Sequence, residues 1–182
     1  PQIVWSGVAS TADGSVFVAT TWKDGIFVSR DAGQTFIKSS APELNFKGIS
    51  VSADGTTMAA CQDGGPVWLS SNGGASWHAT GMSYNQDFRY EDIAMSADGS
   101  LIATVYYNSD GYVWLSYDEG YVWVTPGGPY NKIYLQQHAG MTSSADGTRM
   151  ALTPHYHGFS WTYEEQADRI ALSSDAGQTW RE

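Results

Sequence analysis

The chain has 182 residues, among them 8 Trp and 11 Tyr, and only 15% of its residues are charged. Nine basic and nineteen acidic side chains give a formal net charge of −10, which disfavours contact with nucleic-acid phosphates. Cys61 is the single cysteine, which excludes an internal disulfide, and no apolar run approaches the ~20 residues of a membrane-spanning helix. We expect one globular domain over residues 1–182 without membrane insertion, with a composition typical of an extracellular, secreted protein.

Taken in chain order, the predicted elements belong to a unit that occurs four times. Each unit begins with a ten-residue motif that ends in Asp-Gly, and the aspartates Asp13, Asp54, Asp98 and Asp146 recur with a period of 41 to 48 residues. In the second unit, the segments GISVS, TMAACQ, PVWLS and SWHATG have the apolar alternation of short strands and are separated by Gly, Asp and Asn. A period of this size without a helical stripe indicates stacked β-sheet units.

The four units predict an all-β fold, a β-propeller of four four-stranded antiparallel blades. The blades cover approximately residues 5–41, 46–82, 90–126 and 138–182. Two arrangements fit the sequence. Either the blades close into a four-bladed ring, in which Gly7, Gly48 and Gly140 let the inner strands approach each other, or they form half of a larger two-chain propeller.

An eight-residue motif, Ser-x-Asp-x-Gly-x-x-Trp, joins the third and fourth predicted strands of each unit. Its aspartate can accept backbone N–H groups across the turn, its glycine can take a positive φ, and its aromatic ring can cover the turn. One copy has Asn in place of Asp and another has Phe in place of Trp, which suits a structural role and not a catalytic acid. The motif residues are Ser29, Asp31, Gly33, Phe36, Ser70, Asn72, Gly74, Trp77, Ser116, Asp118, Gly120, Trp123, Ser173, Asp175, Gly177 and Trp180.

This motif resembles the Asp-box, or BNR repeat, of the sialidase-like β-propeller superfamily, and the resemblance covers essentially the whole chain. It implies that the motif turns lie on the outside of the propeller, away from the ligand site. Sialidases of this kind bind a substrate carboxylate with three arginines, one of them in an Arg-Ile-Pro sequence, which is absent here. Three of the chain's five arginines lie beside the repeated turns, so we expect a non-sialidase member; the arginines are Arg30, Arg89, Arg149, Arg169 and Arg181.

Loop lengths indicate which side of the blades carries function. From the Asp-Gly aspartate to the third residue of the eight-residue motif the spacing is 18, 18, 20 and 29 residues, and the growth lies between the second and third strands. The connectors between blades also vary, whereas the two repeated turns keep nearly constant lengths. Because alternate turns of a meander emerge on opposite sides, we predict a constant face and a variable face, with any binding site on the variable face.

The variable loops are rich in aromatic and amide side chains, as in a surface that stacks on sugar rings or contacts a protein. The alternative for many of these aromatics is simple packing of the loops onto the blades. The predicted function is a non-catalytic binding module for a glycan or protein ligand. Its predicted ligand-binding residues are Trp22, Tyr84, Arg89, Tyr107, Tyr130, His155, Tyr156, His157, Trp161 and Tyr163.

No catalytic residue, metal or cofactor is predicted. His155 and His157 could join His138 around a metal ion, but no carboxylate recurs at a fixed spacing to support such a site. Glu164 and Glu165 are adjacent, so in a strand they point to opposite sides and cannot flank one glycosidic bond. Two alternatives stay open: a glycoside hydrolase or lyase-type enzyme or a fragment of one, and a structural or assembly subunit that forms a homo-oligomer.

Overall fold

The computed structural model describes residues 2–82, 89–107, 112–126, 136–155 and 170–181. Every regular element in these ranges is a β-strand, and no helix long and apolar enough to cross a membrane occurs in them. The strands are β1 Trp5–Ser10, β2 Phe17–Thr21, β3 Ile26–Ser29, β4 Ile37–Lys38, β5 Phe46–Val51, β6 Met58–Gln62, β7 Val67–Ser70, β8 His78–Ala79, β9 Arg89–Met95, β10 Ile102–Tyr107, β11 Tyr112–Ser116, β12 Gln136–Ser143, β13 Met150–His155 and β14 Ala171–Ser173.

The strands form four separate antiparallel meanders, which confirms the predicted all-β fold of four blades. The first two blades have the orders β1-β2-β3-β4 and β5-β6-β7-β8. In the third blade β9, β10 and β11 pair, and the fourth strand is reduced to the bridge between Leu115 and Val124. In the fourth blade β12, β13 and β14 pair, and the bridge between Leu172 and Arg181 takes the place of the last strand.

Each pair of successive blades encloses a hydrophobic cluster. Val18 and Val28 of the first blade meet Ile49 of the second, and the same pattern repeats between the second and third blades and between the third and fourth. The first strands β1, β5, β9 and β12 pack side by side in that order and form the inner edge of the array. Strand alternation explains why a cluster forms on each side of a blade: successive side chains of a strand point to opposite faces of the blade, and both faces are apolar.

Small residues permit the close approach of these inner strands. A Cβ atom added to Gly7 would lie 2.8 Å from the carbonyl oxygen of Lys47, and one added to Gly48 would lie 3.1 Å from the Cα of Asp92. Both distances join the glycine to backbone of the next blade, which has little freedom to move. Gly7 and Gly48 thus show the close approach expected at the inner edge, whereas a Cβ added to Gly140 would meet only Thr153 Oγ1 of its own blade, at 3.1 Å.

The described blades form an open array, and the alternative of a closed four-bladed ring is wrong for it. Val8, at the start of the array, is 68% exposed, whereas Ile49 at the equivalent position of the second blade is 5% exposed. At the far end, Leu172 is 41% exposed, whereas the equivalent Leu69 is 4% exposed. Among the described residues, the buried clusters lie at three blade junctions, and none joins the fourth blade to the first.

Candidate functional site

The two repeated turns of each blade lie together on one side of the array. In the first blade, the backbone N–H of Ala32 in the eight-residue turn donates to the carbonyl oxygen of Ser15 beside the Asp-Gly turn, at 3.2 Å. Equivalent bonds, from Gly73, Glu119 and Ala176, occur in the other three blades. Since a meander sends alternate turns to opposite sides, the connections of variable length lie on the other side, as the sequence predicts.

Inside the eight-residue turn, the serine and the acid form a fixed hydrogen-bond network. The hydroxyl of Ser29 donates to Asp31 Oδ1 at 2.7 Å and accepts the N–H of Gly33 at 2.9 Å, while the N–H of Thr35 donates to Asp31 Oδ1 at 2.9 Å. The same hydrogen bond, from the backbone N–H of the glycine to the hydroxyl oxygen of the serine, recurs in the other three copies. In the second copy, Asn72 Oδ1 accepts the backbone N–H of Ser76 at 2.9 Å. The amide of Asn72 thus takes the place of the carboxylate, and the hydrogen-bond network of the turn is kept.

These bonds make the turn carboxylates structural groups. Hydroxyl and backbone donors stabilise the ionised form and hold the pKa of Asp13, Asp31 and Asp146 at about 2. The pKa values of Asp54, Asp98, Asp118 and Asp175 are lowered for the same reason. A carboxylate with a pKa this low is a poor proton donor at neutral pH, so we assign no acid–base role to the constant face.

The final aromatic residue of each turn lies over the blade junction. Trp123 and Trp180 each donate their indole N–H to the carbonyl oxygen of the turn glycine, at 2.9 and 3.0 Å, and so fold back as predicted. Their rings, like that of Trp77, pack against the cluster shared with the preceding blade. Phe36 has no preceding blade among the described residues and is 38% exposed, with its ring tilted against that of Trp5 at a centroid distance of 6.0 Å.

On the opposite side, two of the predicted ligand-binding residues are described with their side chains. Trp22 is half-buried in the loop between β2 and β3, and a β-bridge to Asn45 ties that loop to the next connector. Arg89 is exposed at the start of β9 in the third blade, and its backbone forms a β-bridge with Asp63, the counterpart of the bridge between Trp22 and Asn45. The structure therefore places both residues on the variable face, Trp22 in the first blade and Arg89 in the third.

The remaining predicted ligand-binding residues carry no described side chains. Tyr107 and His155 end strands β10 and β13, with backbone only. The others lie outside the described residues and stay predictions; they are Tyr84, Tyr130, Tyr156, His157, Trp161 and Tyr163.

A cavity of about 310 Å³ opens along the inner strands, where β1, β5, β9 and β12 come together. Its polar lining comes from Ser6, Lys47, Glu91 and Asp92. The ammonium group of Lys47 lies 3.4 Å from Glu91 Oε2, and these side chains are only 19% and 4% exposed. Lys47 and Glu91 stand near the beginning of their strands, which is the end where each chain segment arrives from a variable connector.

Trp22, in the loop between β2 and β3, contacts Lys47 of the cavity lining. The ammonium group of Lys47 lies 5.9 Å from the centre of the Trp22 ring, close enough for a cation–π contact. An indole ring, a cation and a carboxylate thus lie next to one another, with Lys47 and Glu91 in the lining of the inner cavity and Trp22 beside Lys47 in the adjoining loop. We call this group, Trp22, Lys47 and Glu91, the cavity-mouth cluster.

Asp92 lies deeper in the same cavity and joins two blades. Its Oδ2 accepts the backbone N–H of Met141 in the fourth blade at 2.8 Å, and its Oδ1 accepts the N–H of Ile93 at 2.8 Å. Burial raises the pKa of this carboxyl group, while the two N–H donors act in the opposite direction. Asp92 therefore works as a link between inner strands, and its two oxygens are already engaged.

Sequence reasoning assigned Trp22 and Arg89 to the variable face but missed Lys47, Glu91 and Asp92. A signal was present in the sequence: the inner-strand position of Asp92 is a glycine in the other three units, at Gly7, Gly48 and Gly140. A polar residue at one of four otherwise glycine positions indicates a specific use at the inner edge. Across the described ranges, no group of three His, Cys, Asp or Glu side chains is arranged to hold a metal ion.

Comparison with known proteins gives structural likeness only. No family model matches the chain, and no curated protein matches it. Structurally, 97% of the chain superposes on 64% of a chain in a nidogen/laminin complex, with a TM-score of 0.72 and 14% identity. A GH74 xyloglucanase from Xanthomonas campestris matches 96% of the chain over 29% of its own length, with a TM-score of 0.67 and 14% identity. YCF48 from Cyanidioschyzon merolae matches 98% over 55%, with a TM-score of 0.64 and 12% identity.

The chain thus has the blade fold of the β-propeller proteins. It spans between about a quarter and two thirds of the length of these neighbours. They include a glycoside hydrolase and a protein found in a complex with another protein, so the shared fold alone does not select one activity.

Proposed function

We propose that the chain is a non-catalytic binding module that recognises carbohydrate at the cavity-mouth cluster of its variable face. The observation that carries this proposal is the contact of Trp22 with Lys47, which pairs with Glu91 in the lining of the inner cavity. An indole face covers the C–H side of a sugar ring, and the Lys47 ammonium group, whose side chain is 19% exposed, can donate to its hydroxyl groups, while Glu91 holds Lys47 in place. The acids of the constant face are engaged in turns and contribute nothing to such a site.

The proposal includes the finer classification of the chain. We take the eight-residue turn to be an Asp-box and the chain to be a non-sialidase member of that propeller superfamily. The serine, acid and glycine network supports this, since all four copies have the same bonds. An extracellular location fits the low charge and a carbohydrate ligand, and it is proposed on that ground.

A direct binding assay tests the carbohydrate site. Xyloglucan, cellulose and chitin oligosaccharides are titrated into the protein by calorimetry, and the tightest ligand is titrated into Trp22→Ala. Loss of a buried aromatic contact of about 1.5–3 kcal/mol weakens binding about 10- to 100-fold. Tyr121→Ala is the matched control, because Tyr121 is an exposed aromatic in a turn of the constant face. An equal loss in both variants, or in neither, would contradict the proposed site.

A protein ligand is the second candidate, favoured by the exposed Arg89 next to the aromatic loops and by the nidogen/laminin neighbour. Tyr, Trp and Arg are the residues that dominate protein interfaces. In this case no oligosaccharide binds, and Arg89→Ala weakens capture of a partner protein while Tyr121→Ala does not.

The enzyme alternative rests on the GH74 xyloglucanase neighbour. Glycoside hydrolysis needs two carboxyl groups about 5–10 Å apart on either side of the substrate, and one of them must donate a proton. In the cavity, Asp92 is held by two backbone N–H groups and Glu91 is paired with Lys47. Release of reducing sugar from xyloglucan by the protein, abolished in Glu91→Gln, would overturn the non-catalytic proposal.

A further inference from the structure

The first blade exposes an apolar surface at positions whose equivalents in the second and third blades are buried. Trp5 is 51% exposed and Val8 is 68% exposed, whereas Phe46 and Ile49, their equivalents in the second blade, are 0% and 5% exposed. Phe27 and Phe36 lie on the same side: Phe27 makes an edge contact with Trp5, with ring centroids 5.4 Å apart, and Phe36 makes a tilted contact with it at 6.0 Å. We call Trp5, Val8, Phe27 and Phe36 the leading surface.

The fourth blade exposes a second apolar surface at the other end of the array. Ile170 and Leu172 are exposed, although the equivalent residues of the second blade, Val67 and Leu69, are buried. Ala151 lies beside them, paired with Leu172 across the sheet. We call Ala151, Ile170 and Leu172 the trailing surface.

The internal junctions show what covers surfaces of these two kinds. Between the first and second blades, the trailing-type residues Val18, Ile26 and Val28 pack against the leading-type residues Phe46 and Ile49. The other two junctions repeat this pairing. A trailing surface is therefore covered by a leading surface, and in this chain one of each is left uncovered.

We propose that two copies of this chain join head to tail into one eight-bladed ring. The trailing surface of each copy covers the leading surface of the other, so both junctions repeat the packing of the internal ones. Head-to-tail contacts close into a ring when the rotation permits it, and closed propellers have four to eight blades. Two copies cover both exposed surfaces of each chain and make a ring of eight blades, whereas three copies would make a ring of twelve, beyond the usual number.

The proposed ring doubles the binding surface. A rotation about the ring axis keeps the variable faces of both copies on the same side, so two cavity-mouth clusters face one ligand surface. Two sites on a rigid frame bind a repetitive or immobilised ligand more tightly than one site does. The ring itself does not depend on the proposed carbohydrate function, because it rests on the exposed blade ends alone.

Light scattering and sedimentation velocity test the proposal. The ring has a mass of about 40 kDa, twice the 19.8 kDa of one chain. A mass of one chain at every concentration up to the solubility limit would overturn the proposal. So would a series of higher multiples, which indicates an open filament instead of a closed pair.

Charge substitutions at the two ends test the direction of the contact. Val8→Asp and Leu172→Asp each place a carboxylate in both junctions, so each variant alone is expected at the mass of one chain. An equal mixture restores one unaltered junction, between the trailing surface of Val8→Asp and the leading surface of Leu172→Asp. We therefore expect pairs in the mixture at a concentration where neither variant pairs alone.

The other outcomes are equally definite. If Val8→Asp separates the chains but Leu172→Asp does not, the contact joins two leading surfaces and the head-to-tail ring is wrong. Absence of pairs in the mixture also contradicts it. Val122→Asp is the matched control, because Val122 is an exposed valine in a constant-face turn and its substitution should leave the pair intact. Circular dichroism checks that each variant is folded, and Ile170→Asp replaces Leu172→Asp if the latter does not fold.

Discussion

Substitution of Gly48 by alanine tests the close packing of the inner strands. The added Cβ would lie 2.7 Å from Asp92 Oδ1, 3.1 Å from Asp92 Cα and 3.2 Å from the backbone nitrogen of Ile93. The contact with Asp92 Oδ1 is closer than Cβ atoms come in folded proteins, and the other two are tight contacts with backbone of the next blade. Relief requires β9 to move, which also disturbs the hydrogen bond from the N–H of Met141 in the fourth blade to Asp92.

We expect Gly48→Ala to lower the free energy of unfolding by about 1–3 kcal/mol, the usual cost of overpacking a tight interior. For a chain of this length each kcal/mol corresponds to about 2–4 °C in Tm. Urea unfolding followed by tryptophan fluorescence measures the change, at one protein concentration so that association does not differ.

Gly81→Ala is the control for this substitution. A Cβ at Gly81 has no atom within 4 Å, so its free energy of unfolding should change by about 0.5 kcal/mol or less. If Gly48→Ala is as stable as Gly81→Ala, the inner strands are not packed as closely as described, and the cavity they line has a different shape.

Three further predictions concern pH, an inter-blade link and the longest variable loop. The pKa of Asp13, Asp31 and Asp146 is about 2 in the folded chain and near 3.8 in the unfolded chain. Their contribution to the free energy of unfolding is therefore complete above about pH 4 and is lost as the pH falls towards about 2. We expect acid unfolding, followed by fluorescence, to show a loss of stability in that window, and a flat profile there contradicts the hydrogen-bonded turns. Asp92→Ala leaves two backbone N–H groups without their acceptor and should cost about 1–3 kcal/mol in urea unfolding, whereas unchanged stability means that the link between blades is unimportant. Trp161→Ala, in the longest variable loop, should abolish oligosaccharide binding in calorimetry with little change in Tm, and binding equal to that of the unaltered chain removes Trp161 from the site.

The repeat made most of the fold predictable. A period of 41 to 48 residues with turn residues at fixed places defines four meanders before any coordinates are known. The bonds inside each turn are equally local, since Ser29, Asp31 and Gly33 lie within five residues of each other. Local structure of this kind depends on sequence neighbours alone, which is why it could be anticipated.

The open array could not be predicted from the same alignment. Val8 aligns with Ile49, Ile93 and Met141, and this equivalence alone suggests that Val8 is buried as they are. Whether the fourth blade reaches the first depends on the angle between successive blades. That angle depends on the volumes of the side chains packed at all three blade junctions, so it cannot be predicted from any single sequence motif.

The candidate site was predictable only in part. Differences in loop length predicted the variable face. The aromatic content of its loops led to Trp22 and to Arg89, which lies in an aromatic-rich connector. Lys47 and Glu91 belong to inner strands and meet across the gap between two blades, 44 residues apart in sequence. A pairing of that kind depends on blade packing, so the sequence revealed the two charges but not their contact.

The central claim is that the variable face binds the ligand and the constant face holds the blades together. Hydrogen–deuterium exchange, with and without the tightest oligosaccharide of the binding panel, tests it most directly. We predict ligand protection at residues 20–25, 45–47 and 89–91, and none in the turns at 31–36, 72–77 and 118–123. Protection confined to those turns would contradict the claim.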